Sequence, residues 1–205
     1  MPLGLHYLRR WSQLLSGLFL FGFAAAMMLR AGLGVDPWTV FAEGFHVTWG
    51  FGIGWVIVIS GLAVLLIWIP LRQRPGIGTL LNALLVGPSM EVGLYLIETP
   101  ELLAQRIVLF AAGLLMMGIA SGLYIGARFG PGPRDGLMVG FNARFGYPMW
   151  AVRTVVEATV LVIGWTLGGT FGVGTILFAI AIGPLAQRAI RVFRVPDYSA
   201  KATGT

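Results

Sequence analysis

The sequence predicts an all-α integral membrane protein: six transmembrane helices in an inverted 3+3 repeat, each half carrying a short re-entrant or interfacial helix. Composition, the spacing of apolar runs and an internal repeat lead there. The 205 residues are 57% hydrophobic and 11% charged, with a mean hydropathy of +0.85. Soluble domains run about 45–50% apolar and about 25% charged, so a soluble globular protein is excluded. With no cysteine, so are a disulfide scaffold, a thiolate metal site and a catalytic thiol. Fourteen basic against eight acidic residues give +6. These charges lie in short clusters between long apolar runs, a distribution that reads as membrane topology. Membrane lipid is therefore the expected partner, and nucleic acid is not.

A spanning helix needs about 20 mostly apolar residues, and six runs qualify. The first, 11–29, follows Arg9 and Arg10; it is longer than the ~7–15 residues of a signal-peptide core and is expected to be retained. The next segment, 37–50, is too short to span and too apolar for a free loop. Its Asp36-Pro37 start reads as an N-cap followed by a first helical residue. Runs at 53–71 and 76–97 follow, the latter carrying Gly87-Pro88, which would kink it. The run at 103–125 bears a stripe of Gly118, Gly122 and Gly126 suited to close helix packing. A second short apolar segment, 135–147, begins Asp135-Gly136, and spans at 148–167 and 171–193 complete the set. Residues 194–205 read as a polar tail, disordered from Pro196 onward.

Arginine placement orients these spans. With the N-terminus inside, the inner segments hold Arg9, Arg10, Arg72, Arg74, Arg128, Arg134, Arg144, Arg188, Arg191, Arg194 and Lys201, while the outer loops hold Arg30. Both termini are thus expected in the cytoplasm. Trp11, Trp55, Trp68, Trp150 and Trp165 fall at helix ends, and Trp38 and Trp49 in the outer loop, as expected of interfacial anchors.

Two ordered blocks recur. Arg30-Ala31-Gly32-Leu33-Gly34 returns as Arg128-Phe129-Gly130-Pro131-Gly132, 98 positions on, each soon followed by an aspartate, Asp36 or Asp135. Gly76-Ile77-Gly78-Thr79 with Gly87-Pro88 returns 96 positions on as Gly172-Val173-Gly174-Thr175 with Gly183-Pro184. The halves, about 11–97 and 103–193, hold three spans each. An odd number inserts the second copy upside down, the inverted-repeat plan of many secondary transporters.

Ionisable residues within the spans are the candidate site. Arg153 and Glu157 lie four apart, on one helix face. Glu157 falls roughly 13 Å along its span, near the middle of a hydrocarbon core about 30 Å thick. There a charge costs several kcal/mol unless paired or hydrated. A substrate or proton patch and an internal ion pair are both open readings. Glu91 follows Gly87-Pro88, and Gln187 holds its place in the second copy; it reads as a coupling carboxylate or as a packing group. Asp36 and Asp135 read as helix caps, or, with Arg134, as part of a polar-ligand site at helix N-termini. Asn82 suits a helix-packing hydrogen bond. The Gly-x-Gly blocks complete no dinucleotide fingerprint and there is no P-loop. His6 and His46 alone make no metal site. No cofactor, metal or catalytic residue is expected.

Leu33-Gly34-Val35-Asp36-Pro37-Trp38, Pro75-Gly76-Ile77-Gly78-Thr79, Gly130-Pro131-Gly132-Pro133-Arg134-Asp135-Gly136-Leu137-Met138 and Val152-Arg153-Thr154-Val155-Val156-Glu157 resemble the YczE-type uncharacterised bacterial membrane proteins, grouped broadly with YitT-like proteins. The resemblance runs from about residue 15 to 193. It implies a multi-pass protein of the bacterial cytoplasmic membrane and draws attention to Arg134, Asp135, Arg153 and Glu157.

The leading expectation is a small secondary transporter or permease for a small polar or zwitterionic solute. Its site would lie near the midplane between the repeats, lined by Asp36, Arg134, Asp135, Arg153 and Glu157, with Glu91 or Glu157 coupling movement to protons. Alternatives are a substrate-capture subunit of a multi-component importer and a non-transporting accessory protein, and a homo-oligomer fits either. An enzyme is not expected, because no nucleophile–base pair accompanies these charges.

Overall fold

The computed structural model describes residues 3–195. These residues form eight helices in the order α1 (Leu3–Ala31), α2 (Pro37–Trp49), α3 (Ile53–Trp68), α4 (Ile77–Leu96), α5 (Leu103–Gly126), α6 (Pro133–Phe145), α7 (Met149–Thr166) and α8 (Val173–Phe193); no strand occurs among them. Five helices, α1, α4, α5, α7 and α8, are long and apolar enough to cross a membrane. The remaining candidate span, 53–71, ends sooner than expected: α3 has 16 residues, about 24 Å of helix, and the chain turns at Ile69. Of the expected tail, Val195 is buried and donates its N–H to the Gly126 carbonyl; residues 196–205 lie outside the described residues.

α1 and α5 form the centre and run antiparallel. Arg10, near the start of α1, donates through Nε to the Ala127 carbonyl at 3.0 Å and through Nη2 to that of Arg128 at 3.0 Å, just past the end of α5. Arg106, near the start of α5, donates to Ala31 at 2.6 Å and Gly32 at 2.8 Å, at the end of α1. Each arginine thereby satisfies carbonyls that a helix end leaves without a partner. α4 packs along α1, and α8 along α5. The expected glycine stripe serves the second seam: Gly118, Gly122 and Gly126 face Leu185, Ala189 and Phe193 in turn, bringing two backbones close together.

These contacts recur at one offset. Arg10 and Arg106, Ala31 and Ala127, and Gly32 and Arg128 are each 96 positions apart, and so are the left-handed residues Gly34 (φ 111°) and Gly130 (φ 121°), Gly50 and Gly146, and Arg72 and Gly168. The 98-position match of the Arg30 and Arg128 blocks is therefore two residues out of structural register, and Asp36 corresponds to Gly132 rather than to Asp135.

The same register explains both repeated motifs. The Gly78 N–H donates to the Phe129 carbonyl at 3.0 Å, and the Gly174 N–H to that of Leu33 at 2.7 Å. Each Gly-x-Gly loop thus docks on the Gly-x-Gly-Thr helix start of the other half. Thr79 and Thr175 hydroxyls accept from the N–H of Gly76 and Gly172, and a Cβ on either glycine would run into the docked loop.

Two tryptophans are not interfacial. Trp68 is buried and donates its indole N–H to the Pro133 carbonyl at 3.0 Å, and Trp38 is buried at the start of α2. Trp49, Trp55, Trp150 and Trp165 are exposed as expected.

Candidate functional site between the short helices

α2 packs on the end of α7, and α6 on the end of α3. α2 starts as its sequence predicts: Asp36 is the N-cap, accepting from the Thr39 N–H at 3.2 Å and from the Thr39 hydroxyl, with Pro37 at the first helical position. α6 starts two residues before the expected 135, with Gly132 as N-cap and Pro133 next. Proline lacks only an N–H that would go unpaired there, so Asp135 is the third helical residue rather than the cap. Its carboxylate still favours the positive end of the helix.

The two N-terminal turns converge. An Nη of Arg134, the second residue of α6, lies 3.7 Å from a carboxylate oxygen of Asp36 at the head of α2. The guanidinium also sits over the Trp38 ring, 4.4 Å from its centroid. A cavity of about 170 Å³ lies at this junction, lined by α1, α3, α4, α5 and α8 as well as by α2, α6 and α7. Much of its wall comes in pairs 96 positions apart: Phe21 and Met117, Asp36 and Gly132, Pro37 and Pro133, Trp38 and Arg134, Ile57 and Arg153, Gly61 and Glu157, Asn82 and Phe178, Val86 and Ile182. The cavity thus straddles the relation between the halves, but its charges do not repeat. Arg134, Asp135, Arg153 and Glu157 come from the second half and Asp36 from the first.

All five expected substrate-site residues line this cavity. Arg153 Nε donates to Glu157 Oε1 at 2.9 Å, so the (i, i+4) pair forms and also faces the cavity. Asp135 accepts from the Tyr124 hydroxyl at 3.3 Å. Glu91, the other coupling candidate, is not in this wall. Its Oε1 accepts from the Gly54 N–H at 2.6 Å, in the first turn of α3. It supplies there the cap that Gly52, lacking a side chain, cannot give.

Sequence reasoning missed Tyr124 and Trp38, whose partners come from another helix, and assigned Asn82 to packing although it lines the cavity. An aromatic residue following the Asp-Pro cap was the one signal for Trp38; none pointed to Tyr124. Glu43 was also passed over: it accepts from the Thr170 N–H at 2.6 Å and hydroxyl at 2.7 Å, tying α2 to the turn before α8.

Long apolar helices enclosing a small, charged, mixed-sign cavity define a multi-pass helical membrane protein with a polar interior site. Residues 8–191 match a family of unknown function, DUF6198, and the chain belongs to that family. It is 37% identical over 186 residues to an uncharacterized protein of Haemophilus influenzae, covering 90% of this chain and 85% of the relative. It is 32% identical to the uncharacterized membrane protein YczE of Bacillus subtilis over 85% of this chain and 82% of that one, in keeping with the resemblance its motifs carry. The uncharacterized protein YyaS of Bacillus subtilis is 24% identical over 78% of this chain and 82% of its own length. No solved structure matches.

Proposed function

We propose that this protein is a small secondary transporter or permease of the bacterial cytoplasmic membrane, binding a small polar or zwitterionic solute in the cavity between two inverted halves. α3, with the turn after it, completes a sixth span, and the arginine-rich loops keep both termini in the cytoplasm. The contact of Arg134 with Asp36 carries the reading: charged N-terminal turns of two short helices, one from each half, meet inside a helical bundle. Short helices aimed at a site between inverted repeats are the means by which many transporters hold solutes at the midplane. Support for inversion comes from the antiparallel α1 and α5 and from contacts that recur at 96 positions. Paired charges of both signs suit a solute carrying both an amine and an acid group.

Glu157 is the coupling carboxylate in this reading. It lines the cavity and is bonded to a neighbour on its own helix, so protonation would release Arg153 without unfolding a helix cap. In this reading the solute leaves chemically unchanged. The test is uptake of radiolabelled amino acids and amines into proteoliposomes under an imposed proton gradient. Wild type accumulates at least one solute, and Glu157→Gln, folded to the same melting temperature, does not. Accumulation by Glu157→Gln equal to wild type would remove the coupling role. Binding without uptake would replace the transporter with a capture subunit.

A further inference from the structure

The two seams made equivalent by the 96-position register are built differently. Between α3 and α4, Gly54 and Gly87 lie against each other's carbonyls, Val58 packs beside Gly87, and Glu91 bonds to Gly54. In the second half Trp150, Gly183 and Gln187 stand at the places of Gly54, Gly87 and Glu91. α7 and α8 do not pack together as α3 and α4 do, and a Cβ on Gly183 would meet open space. Among the described residues, Gly164 is the buried residue of α7. The cavity reaches this unsealed seam: Arg153 and Glu157 line it from α7, and Ile182, Gly183 and Ala186 from α8. The side chains of Arg153 and Glu157 are 50% and 30% exposed, on a helix otherwise suited to lipid.

We propose that the substrate enters sideways from the bilayer between α7 and α8 and is an amphiphile with an ammonium head. This rests on the solute-binding reading of the cavity and changes the substrate from a wholly polar solute to one whose polar head occupies the cavity while an apolar tail lies in the seam. Charge selects the head: the wall holds three carboxylates, Asp36, Asp135 and Glu157, against two guanidiniums, Arg134 and Arg153. Asp135, bonded to the Tyr124 hydroxyl, shares those arginines with the other two, which leaves one negative charge in excess. The seam selects the tail. α7 and α8 expose apolar side chains, among them Val155, Val162, Ile176 and Ile180, as lipid-facing helices do, and a chain lying in the gap beside Ile182 and Gly183 would be continuous with the lipid.

The absence of cysteine permits a direct test. Gly183→Cys, carrying a nitroxide in lipid nanodiscs, is read by electron paramagnetic resonance. The label is expected to collide with oxygen more than with a water-soluble nickel chelate. Dodecylammonium should immobilise it, ethylammonium at equal concentration should not, and adding Asp135→Asn should abolish the dodecylammonium effect while leaving the oxygen collisions unchanged. Dominant collision with the nickel chelate would make the seam an aqueous vestibule and overturn sideways entry. Spin–spin broadening would show the seam covered by a second copy and would overturn sideways entry equally. A lipid-exposed label insensitive to dodecylammonium, or equally sensitive in Asp135→Asn, would overturn the amphiphile. The solute-binding reading stands or falls separately, on whether small solutes raise the melting temperature of wild type.

Discussion

Removing the Arg134 guanidinium should destabilise the protein mainly through Asp36, and the effect can be isolated. The charged groups are 3.7 Å apart; at an effective dielectric constant of about 20, unit charges at that distance attract by about 4.5 kcal/mol. The Asp36 side chain is 8% exposed and that of Arg134 27%, so desolvation offsets part of this, and a coupling of about 2 kcal/mol is expected. Asp36→Asn is the proper partner substitution because asparagine caps a helix as well as aspartate does: it keeps an acceptor for the Thr39 N–H, while the Thr39 hydroxyl, which donates to the other carboxylate oxygen, must turn. Arg134→Met, which keeps an apolar stem against Trp38, should cost about 3 kcal/mol by stranding a buried carboxylate. Asp36→Asn combined with it should recover about 2 kcal/mol. The assay is reversible unfolding of the detergent-solubilised protein, followed by tryptophan fluorescence, for both single variants and the double. Costs that add to within about 0.5 kcal/mol would mean that the pair is not coupled and that the short helices do not meet as described.

Gly87→Ala and Gly183→Ala place the same methyl group at positions related by the register, with opposite results. The first meets the Gly54 carbonyl and Val58 and should cost about 1–3 kcal/mol; the second meets open space and should stabilise its helix by up to about 1 kcal/mol, both read as melting temperatures. Arg106→Ala should lose about 2 kcal/mol by unbonding two carbonyls at the end of α1. Arg10→Ala should lose less, since one of its two bonds is solvent-exposed, and unfolding titrations of the two variants give the order. Glu91→Gln retains an acceptor for the Gly54 N–H and should leave solute uptake unchanged in proteoliposomes, whereas Glu157→Gln should abolish it.

Helix positions were largely legible because hydropathy and caps are local. The Asp36-Pro37 start, the glycine stripe on α5 and the (i, i+4) pair on α7 formed as their spacing predicts. What failed was tertiary. Asp36 and Asp135 look like repeat partners because each follows a Gly-x-Gly block, but one is an N-cap and the other a third helical residue, and the register separates them. Glu91 stood open between a coupling carboxylate and a hydrogen-bonded packing group, because a carboxylate within a span is costly unless partnered. Its partner is a backbone N–H on another helix, invisible to a one-dimensional reading. Trp68 looked interfacial from its place at a helix end, yet its ring reaches inward to Pro133. Charges drawn unequally from the two halves also explain why the recurring blocks did not give the composition of the site.

A polar solute site where α2 and α6 meet is best tested by thermal-shift measurements of the purified protein against amines, amino acids and carboxylates, with Arg153→Ala and Asp135→Asn alongside. An amine-bearing solute should raise the melting temperature of wild type, and both variants, folded, should lose the shift. A shift retained in both would put the binding elsewhere. No shift from any solute, with variants that only melt earlier, would contradict a solute site and leave these charges as structural ion pairs.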